Sequence, residues 1–162
     1  MFQIGDKIVH PMHGAGVIQS ISEERIDGKN MQFYVFQMPV SGLTLKIPTS
    51  NTEMIGIRPI SDHETLEKVF AKIPDISIDM TPNWNHRYRE NMERIKSGNL
   101  LEVARVIKGL MWRDQQRGLS NGERKMLHTA KQILISEIVL VADEKYSTVE
   151  KKIDSIMMSG VH

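Results

Sequence analysis

The segment Asn83-Trp84-Asn85-His86-Arg87-Tyr88-Arg89 sets aromatic rings among cationic and amide side chains. That combination suits a polyanion, because cations neutralise phosphates while an indole can wedge against or stack on an unstacked base step. The same residues also read as a helix core: Trp84, Tyr88, Met92 and Ile95 recur along one helical face. Trp112 competes for the exposed role. The apolar stripe Leu100, Val103, Ala104, Ile107, Leu110 and Met111 leaves it at the stripe's edge, near Arg105, Lys108 and Arg113. Arg124, His128 and Lys131 share one helical side, either a phosphate-facing ridge or a solvated one. Periodicity leaves the choice between the two tryptophans open.

Other chemistry finds little support. Without cysteine there is no disulfide, thiolate metal site or cysteine nucleophile. His10 and His13 are the one close histidine pair, with no nearby carboxylate or thiol to complete a metal site, so they read as a turn that packs on its own domain. Gly14-Ala15-Gly16 is too short for a phosphate-binding fingerprint and lies between strands, not before a helix. Ser20 and Ser41 have no base partner that spacing can locate. The expectation is a non-enzyme without cofactor, metal or small-molecule substrate.

Net charge is +1 over 162 residues, but its distribution is uneven. Up to Ile60, Lys7, Arg25, Lys29, Lys46 and Arg58 are matched by Asp6, Glu23, Glu24, Asp27 and Glu53. From Trp84 to Lys131, eleven Lys and Arg face only five Asp and Glu. Such a block collects phosphates at low salt, or simply solvates a helical surface. No stretch approaches the roughly 20 apolar residues of a membrane helix, and the first residues lack a signal-peptide pattern. A cytoplasmic location without membrane association is expected.

Two halves with different periods must position these residues. Gly5-Asp6 leads into Lys7-Ile8-Val9, and the turn His13–Gly16 precedes Val17-Ile18. Asp27-Gly28 marks a hairpin, with a longer loop to Asn30 expected, and Met31–Met38 reads as a strand largely buried on both faces. Leu43, Leu45 and Ile47 alternate inward against Thr44 and Lys46, and Ile55–Arg58 offers a last short strand. From Ser61 the period becomes helical. Ser61 with Glu64, Ser120 with Glu123 and Ser147 with Glu150 are capping-box patterns, Asn99 is a further cap, and Pro82 suits a first helical turn. Pro74 to Pro82 is the loose-looking connector. The expected fold is α+β, with a five-stranded Tudor- or SH3-like β-barrel over residues 1–60 and about five helices over residues 61–162.

Four blocks then show a resemblance: Gly5–Gly16, the strand Leu43–Pro48, Asn83–Asn91, and Arg113-Asp114-Gln115-Gln116-Arg117-Gly118-Leu119-Ser120. Together, and in this order, they resemble the CarD/CdnL transcription regulators of bacteria. The N-terminal block is shared with transcription-repair coupling factors, and the C-terminal blocks favour CarD. The resemblance implies a Tudor-like domain on the β subunit of RNA polymerase and a helical domain on promoter DNA at the upstream edge of the bubble. There the family's tryptophan enters the minor groove and prolongs the open complex.

Carried onto this chain, that tryptophan is Trp84, with neighbouring DNA-contact positions at His86, Arg87 and Arg89; Arg124 joins them from the basic ridge. His86 stands where known relatives carry a basic residue. On the polymerase side Lys46 matches a basic contact and Ile26 an apolar one. A second basic contact falls on Glu24, with Arg25 adjacent as its replacement. DNA binding without an operator of its own is expected. The alternative is a polymerase-bound adaptor that recruits a protein partner through its helices and ignores DNA.

Overall fold

The computed structural model describes residues 1–78 and 81–159. The first part is one antiparallel sheet of β1 (Lys7–His10), β2 (Gly14–Ile26), β3 (Lys29–Gln37), β4 (Thr44–Pro48) and β5 (Arg58–Pro59), in the order β4-β3-β2-β1-β5. A single helical turn, α1 (Thr52–Ile55), joins β4 to β5. Among the described residues no pairing closes β4 onto β5, so the expected barrel is an open sheet. The two-residue β5 pairs only with β1, which leaves the ladder ends apart.

Asp27 (φ 51°) and Gly28 (φ 78°) form a two-residue turn with positive φ at both positions. This is the type I′ geometry whose twist matches a hairpin, and it replaces the longer loop expected to Asn30. Ile26 therefore pairs directly with Lys29. Along the hairpin, β1 reaches only Gly14–Val17 of β2 and β4 only Phe33–Gln37 of β3, so the β2–β3 hairpin continues past both neighbours as a two-stranded arm. Ile8, Ile18, Tyr34, Phe36, Met38, Ile47 and Ile57 make the sheet's core. Leu43 was expected inward but is 51% exposed. It belongs to the loop closed by Met38 N–H on the Leu43 carbonyl, one residue before strand alternation begins.

The second part is helical: α2 (His63–Lys72), a 3₁₀ turn (Ile73–Asp75), α3 (Trp84–Lys96), α4 (Leu100–Arg117), α5 (Asn121–Ala142) and α6 (Tyr146–Met158). The connector expected from Pro74 to Pro82 lies partly outside the described residues. The Asn99 and Ser120 caps form as expected. Three other starts differ. Asp62, not Ser61, caps α2 by accepting from Thr65 N–H at 2.8 Å, and the Thr65 hydrogen bonds hold its carboxyl below the usual range. Asn83 caps α3, so Pro82 lies outside it. α6 begins at Tyr146 without a side-chain cap, because its N-cap is Lys145, which has no acceptor, and Ser147 lies inside the helix; Glu150 pairs with Lys131 of α5. Ile107, Leu110, Leu134, Ile135, Ile153 and Met157 are central to the helical core.

The two parts meet in a bonded junction. Ala15 N–H donates to Ser136 Oγ at 2.9 Å, and Arg58 Nη1 and Nη2 reach both oxygens of the fully buried Glu137 carboxylate at 2.9 and 2.6 Å. Gly14 (φ 109°) lies against α5 so closely that a Cβ there would come within 2.5 Å of Ser136 Oγ. A residue with a side chain fits neither that backbone nor that space.

Candidate nucleic-acid interface

Trp84 occupies the first position of α3, just after Asn83, whose side chain accepts from His86 N–H at 3.0 Å. The indole is 41% exposed. Its ring stacks on Tyr88 one turn later, with centroids 4.9 Å apart and planes inclined by 19°. Its Nε1–H donates to Ser120 Oγ at 3.1 Å, across to the start of α5. Gly122 supplies a floor without a side chain: a Cβ there would lie 3.5 Å from Trp84 Cζ2 and 3.7 Å from Tyr88 Cε2. Three contacts from two helices thus hold the ring in place while leaving part of it in solvent. Trp112 is half-buried against α3, on the wall of a small cleft that also includes Arg105 and Arg113.

Ser120 is the hinge of this arrangement. Its oxygen accepts from Trp84 and from Glu123 N–H (3.2 Å), and its hydroxyl donates to Glu123 Oε1 at 3.4 Å. Its hydroxyl therefore has both lone pairs and its proton engaged. Glu123, 3% exposed, is also the partner of Arg87.

Arg87, expected among the DNA-facing cations, points inward and is 6% exposed. Nε and Nη2 donate to the two Glu123 oxygens at 3.0 and 3.3 Å, and Nη1 donates to the carbonyls of Thr81 and Pro82. The family resemblance put a DNA-contact position on it; here it is a strut that joins α3 to α5 beneath the indole. Lys108 is likewise not part of the surface: at 1% exposure its Nζ donates to the carbonyls of Ile73 and Pro74. Burial pushes its ammonium below the ordinary lysine range, against the opposing pull of Asp75.

The remaining candidates are at the surface. His86 Nε2 lies 2.9 Å from Glu90 Oε1 along its own helix. Arg89 on α3 and Arg124 on α5 are exposed, and no ion pair engages either among the described residues. Arg117 and Lys125 are exposed near the same helix ends. The ridge read from Arg124 to Lys131 is shorter than expected. Lys131 pairs with Glu150 at 3.2 Å and Asp154 at 2.9 Å, and although burial lowers its pKa, hydrogen bonds to these carboxylates raise it overall.

On the sheet, Lys46 projects from edge strand β4 and pairs with Glu24 of β2. Arg25 and Ile26 sit at the hairpin end, Arg25 exposed and Ile26 40% exposed. The anionic Glu24 thus stands beside Lys46 as its partner. The His10 and His13 rings lie 4.5 Å apart with their planes inclined by 59°, and Met12 N–H donates to His10 Nδ1, consistent with a packed turn. Burial first, and His13 second, lower the His10 pKa to about 4.

Among the described residues no helix is long and apolar enough to cross a membrane. Residues 2–61 match the CarD-like/TRCF RID domain, and residues 68–154 match the CarD C-terminal domain. The Bacillus subtilis (strain 168) protein YdeB, described as a putative transcription factor, is 39% identical over 141 residues, covering 87% of this chain and 92% of that protein. The solution NMR structure of the 72-residue N-terminal domain of Myxococcus xanthus CarD is similar at 22% identity and TM-score 0.32, covering 36% of this chain and 79% of its own. Both matched domains, in this order, and the extent of the relative give one answer: the chain belongs to the CarD family of non-enzymatic transcription factors that carry an RNA polymerase-interacting domain.

Proposed function

We propose that the sheet anchors this protein to the β subunit of RNA polymerase while Trp84 and the free cations near it hold DNA at the upstream edge of the promoter bubble. The observation that carries this reading is the exposed Trp84 ring, fixed by Tyr88, Ser120 and Gly122; Arg89 and Arg124, exposed and without an ion pair among the described residues, lie on the same two helices. A ring already held in place loses little freedom when it meets a base step. Polymerase binding through edge strand β4, with Lys46, Arg25 and Ile26 on the same sheet, keeps the helical part at high effective concentration near promoter DNA. Its own DNA affinity can then be weak and indifferent to sequence. The place of action is the cytoplasm, on the nucleoid with polymerase.

A tenfold shift from closed towards open complex requires about 1.4 kcal/mol of differential interaction. One inserted indole supplies that where the bubble has already met part of an unstacking cost of a few kcal/mol. The test is the lifetime of open complexes with the cognate polymerase, with no factor, native protein or Trp84→Ala. Native protein lengthens it, and Trp84→Ala abolishes the gain while polymerase affinity persists. No gain from native protein at demonstrated polymerase occupancy refutes the reading and leaves the adaptor that ignores DNA.

A further inference from the structure

We propose that Arg58 is a positioning residue: resting on the function proposed above, it fixes the sheet relative to Trp84 through the two helices that hold the indole. One guanidinium reaches both helices from β5. Nη1 and Nη2 take the two oxygens of Glu137 on α5, and Nε donates at 3.2 Å to the carbonyl of Gly98, just past the end of α3. At their other ends the same two helices are joined by Trp84 to Ser120 and by Arg87 to Glu123. The arrangement is a frame with α3 and α5 as its long sides, Arg58 at one end and the wedge at the other. At about 1.5 Å per residue, the sides run roughly 20 Å from Trp84 to Gly98 and 25 Å from Ser120 to Glu137. Arg58 therefore cannot touch the base step that Trp84 meets, and acts on the indole only by placing it.

The chemistry of the clamp favours orientation over mere adhesion. A buried ion pair is an inefficient source of stability compared with apolar packing, but a forked guanidinium–carboxylate pair admits one geometry. Glu137 also accepts Ser61 N–H at 2.8 Å, so donors on both sides of the connection between sheet and helices converge on a single carboxylate. The preceding residue, Ser136, accepts Ala15 N–H and donates to the Ile133 carbonyl at 3.0 Å. Two consecutive residues of α5 thus receive β2, β5 and the start of the helical part, and Gly14 allows the close approach. Lysine would keep the charge of Arg58 but offers a point charge in place of the fork, and cannot span Gly98 and both Glu137 oxygens.

The test uses full-length Arg58→Lys, kept folded as judged by circular dichroism. The chain has no cysteine, so Glu53→Cys and Gln115→Cys, both at exposed positions, give two unique spin-label sites across the junction. In the free protein the distance distribution between them is narrow with Arg58 and widens with Arg58→Lys. At saturating factor, the open-complex lifetime gain falls about threefold or more with Arg58→Lys, while polymerase affinity stays within about twofold. Trp84→Ala is the counterpart: it removes the lifetime gain and leaves the distance distribution narrow. An unchanged distribution with Arg58→Lys overturns the clamp, and a widened one with a full lifetime gain overturns its positioning role. If native protein itself gives no gain, the proposed function fails, and the distance measurement alone decides the clamp.

Discussion

Arg87 and Arg89 lie two residues apart in one helix, and their alanine variants should fail in different assays. Removing Arg87 leaves the Glu123 carboxylate, 3% exposed, without its main counter-charge, and takes a donor from the Thr81 carbonyl. Arg113, whose Nε is 3.9 Å from Glu123, is too distant to replace it by a hydrogen bond. Breaking one side of such a buried pair costs about 3–5 kcal/mol. With a urea dependence of about 2 kcal/mol per molar, the unfolding midpoint falls by roughly 1.5–2.5 M. Arg87→Met combined with Glu123→Leu should recover most of that loss, because no unpaired charge remains. Arg89→Ala, at an exposed and unpaired position, moves stability by less than about 0.5 kcal/mol. It should instead lower the salt dependence of DNA binding by about one phosphate equivalent. Urea titrations and DNA binding from low to moderate salt measure the two effects. An Arg87→Ala protein with native stability and a reduced salt slope would show that Arg87 faces phosphate after all, and the strut assignment would be wrong.

Three further outcomes follow from the geometry. Gly14→Ala, facing both a positive φ and the Ser136 hydroxyl, should cost about 2 kcal/mol or more in thermal or urea unfolding; a native midpoint would mean the junction yields freely. Ser120→Ala removes the α5 cap and the acceptor for the Trp84 indole, so stability should drop by about 1 kcal/mol and Trp84 fluorescence, read in a Trp112→Phe background, should become more solvent-exposed. His10, with its folded pKa lowered to about 4, contributes stability above its unfolded pKa that is lost as pH falls from about 6.5 towards 4. Because its ring is only half-buried, the loss is discounted to about 1–2 kcal/mol, and His10→Gln should flatten that part of the pH profile.

What the sequence disclosed was mostly local. The Ser120–Glu123 and Asn99 caps, the Asp27-Gly28 turn and the helical stripes depend on neighbours within a few residues, and each formed. Misreadings arose where a distant partner claimed a group. Glu150 fits a capping box but is held by Lys131, and Ser61 resembles a cap although its N–H belongs to Glu137. Arg87 and Lys108 count as surface charge in any window of sequence, yet each points into the fold towards acceptors about 35 residues away, Glu123 at 36 and Ile73 at 35. The choice between Trp84 and Trp112 was beyond periodicity for the same reason. Ser120 exposes one ring by holding its edge, from 36 residues along the chain. The resemblance to the family singled out Trp84, whereas the residues that seat it had no sequence signal beyond the cap.

The arm formed by the β2–β3 hairpin beyond its neighbouring strands has a consequence for how this chain can change over generations. Two strands with no further strand beside them, tied to the rest by little more than Lys46 on Glu24 and Thr49 on Gln32, contribute little to the folding of the remainder. Their length is therefore open to revision, but only in matched steps. One residue added to each strand would turn Arg25 and Ile26 to the opposite face, whereas two added to each would lengthen the arm and restore their facing. Relatives with longer or shorter arms should accordingly differ by two residues per strand, moving the same chemical face nearer to or farther from the surface it meets.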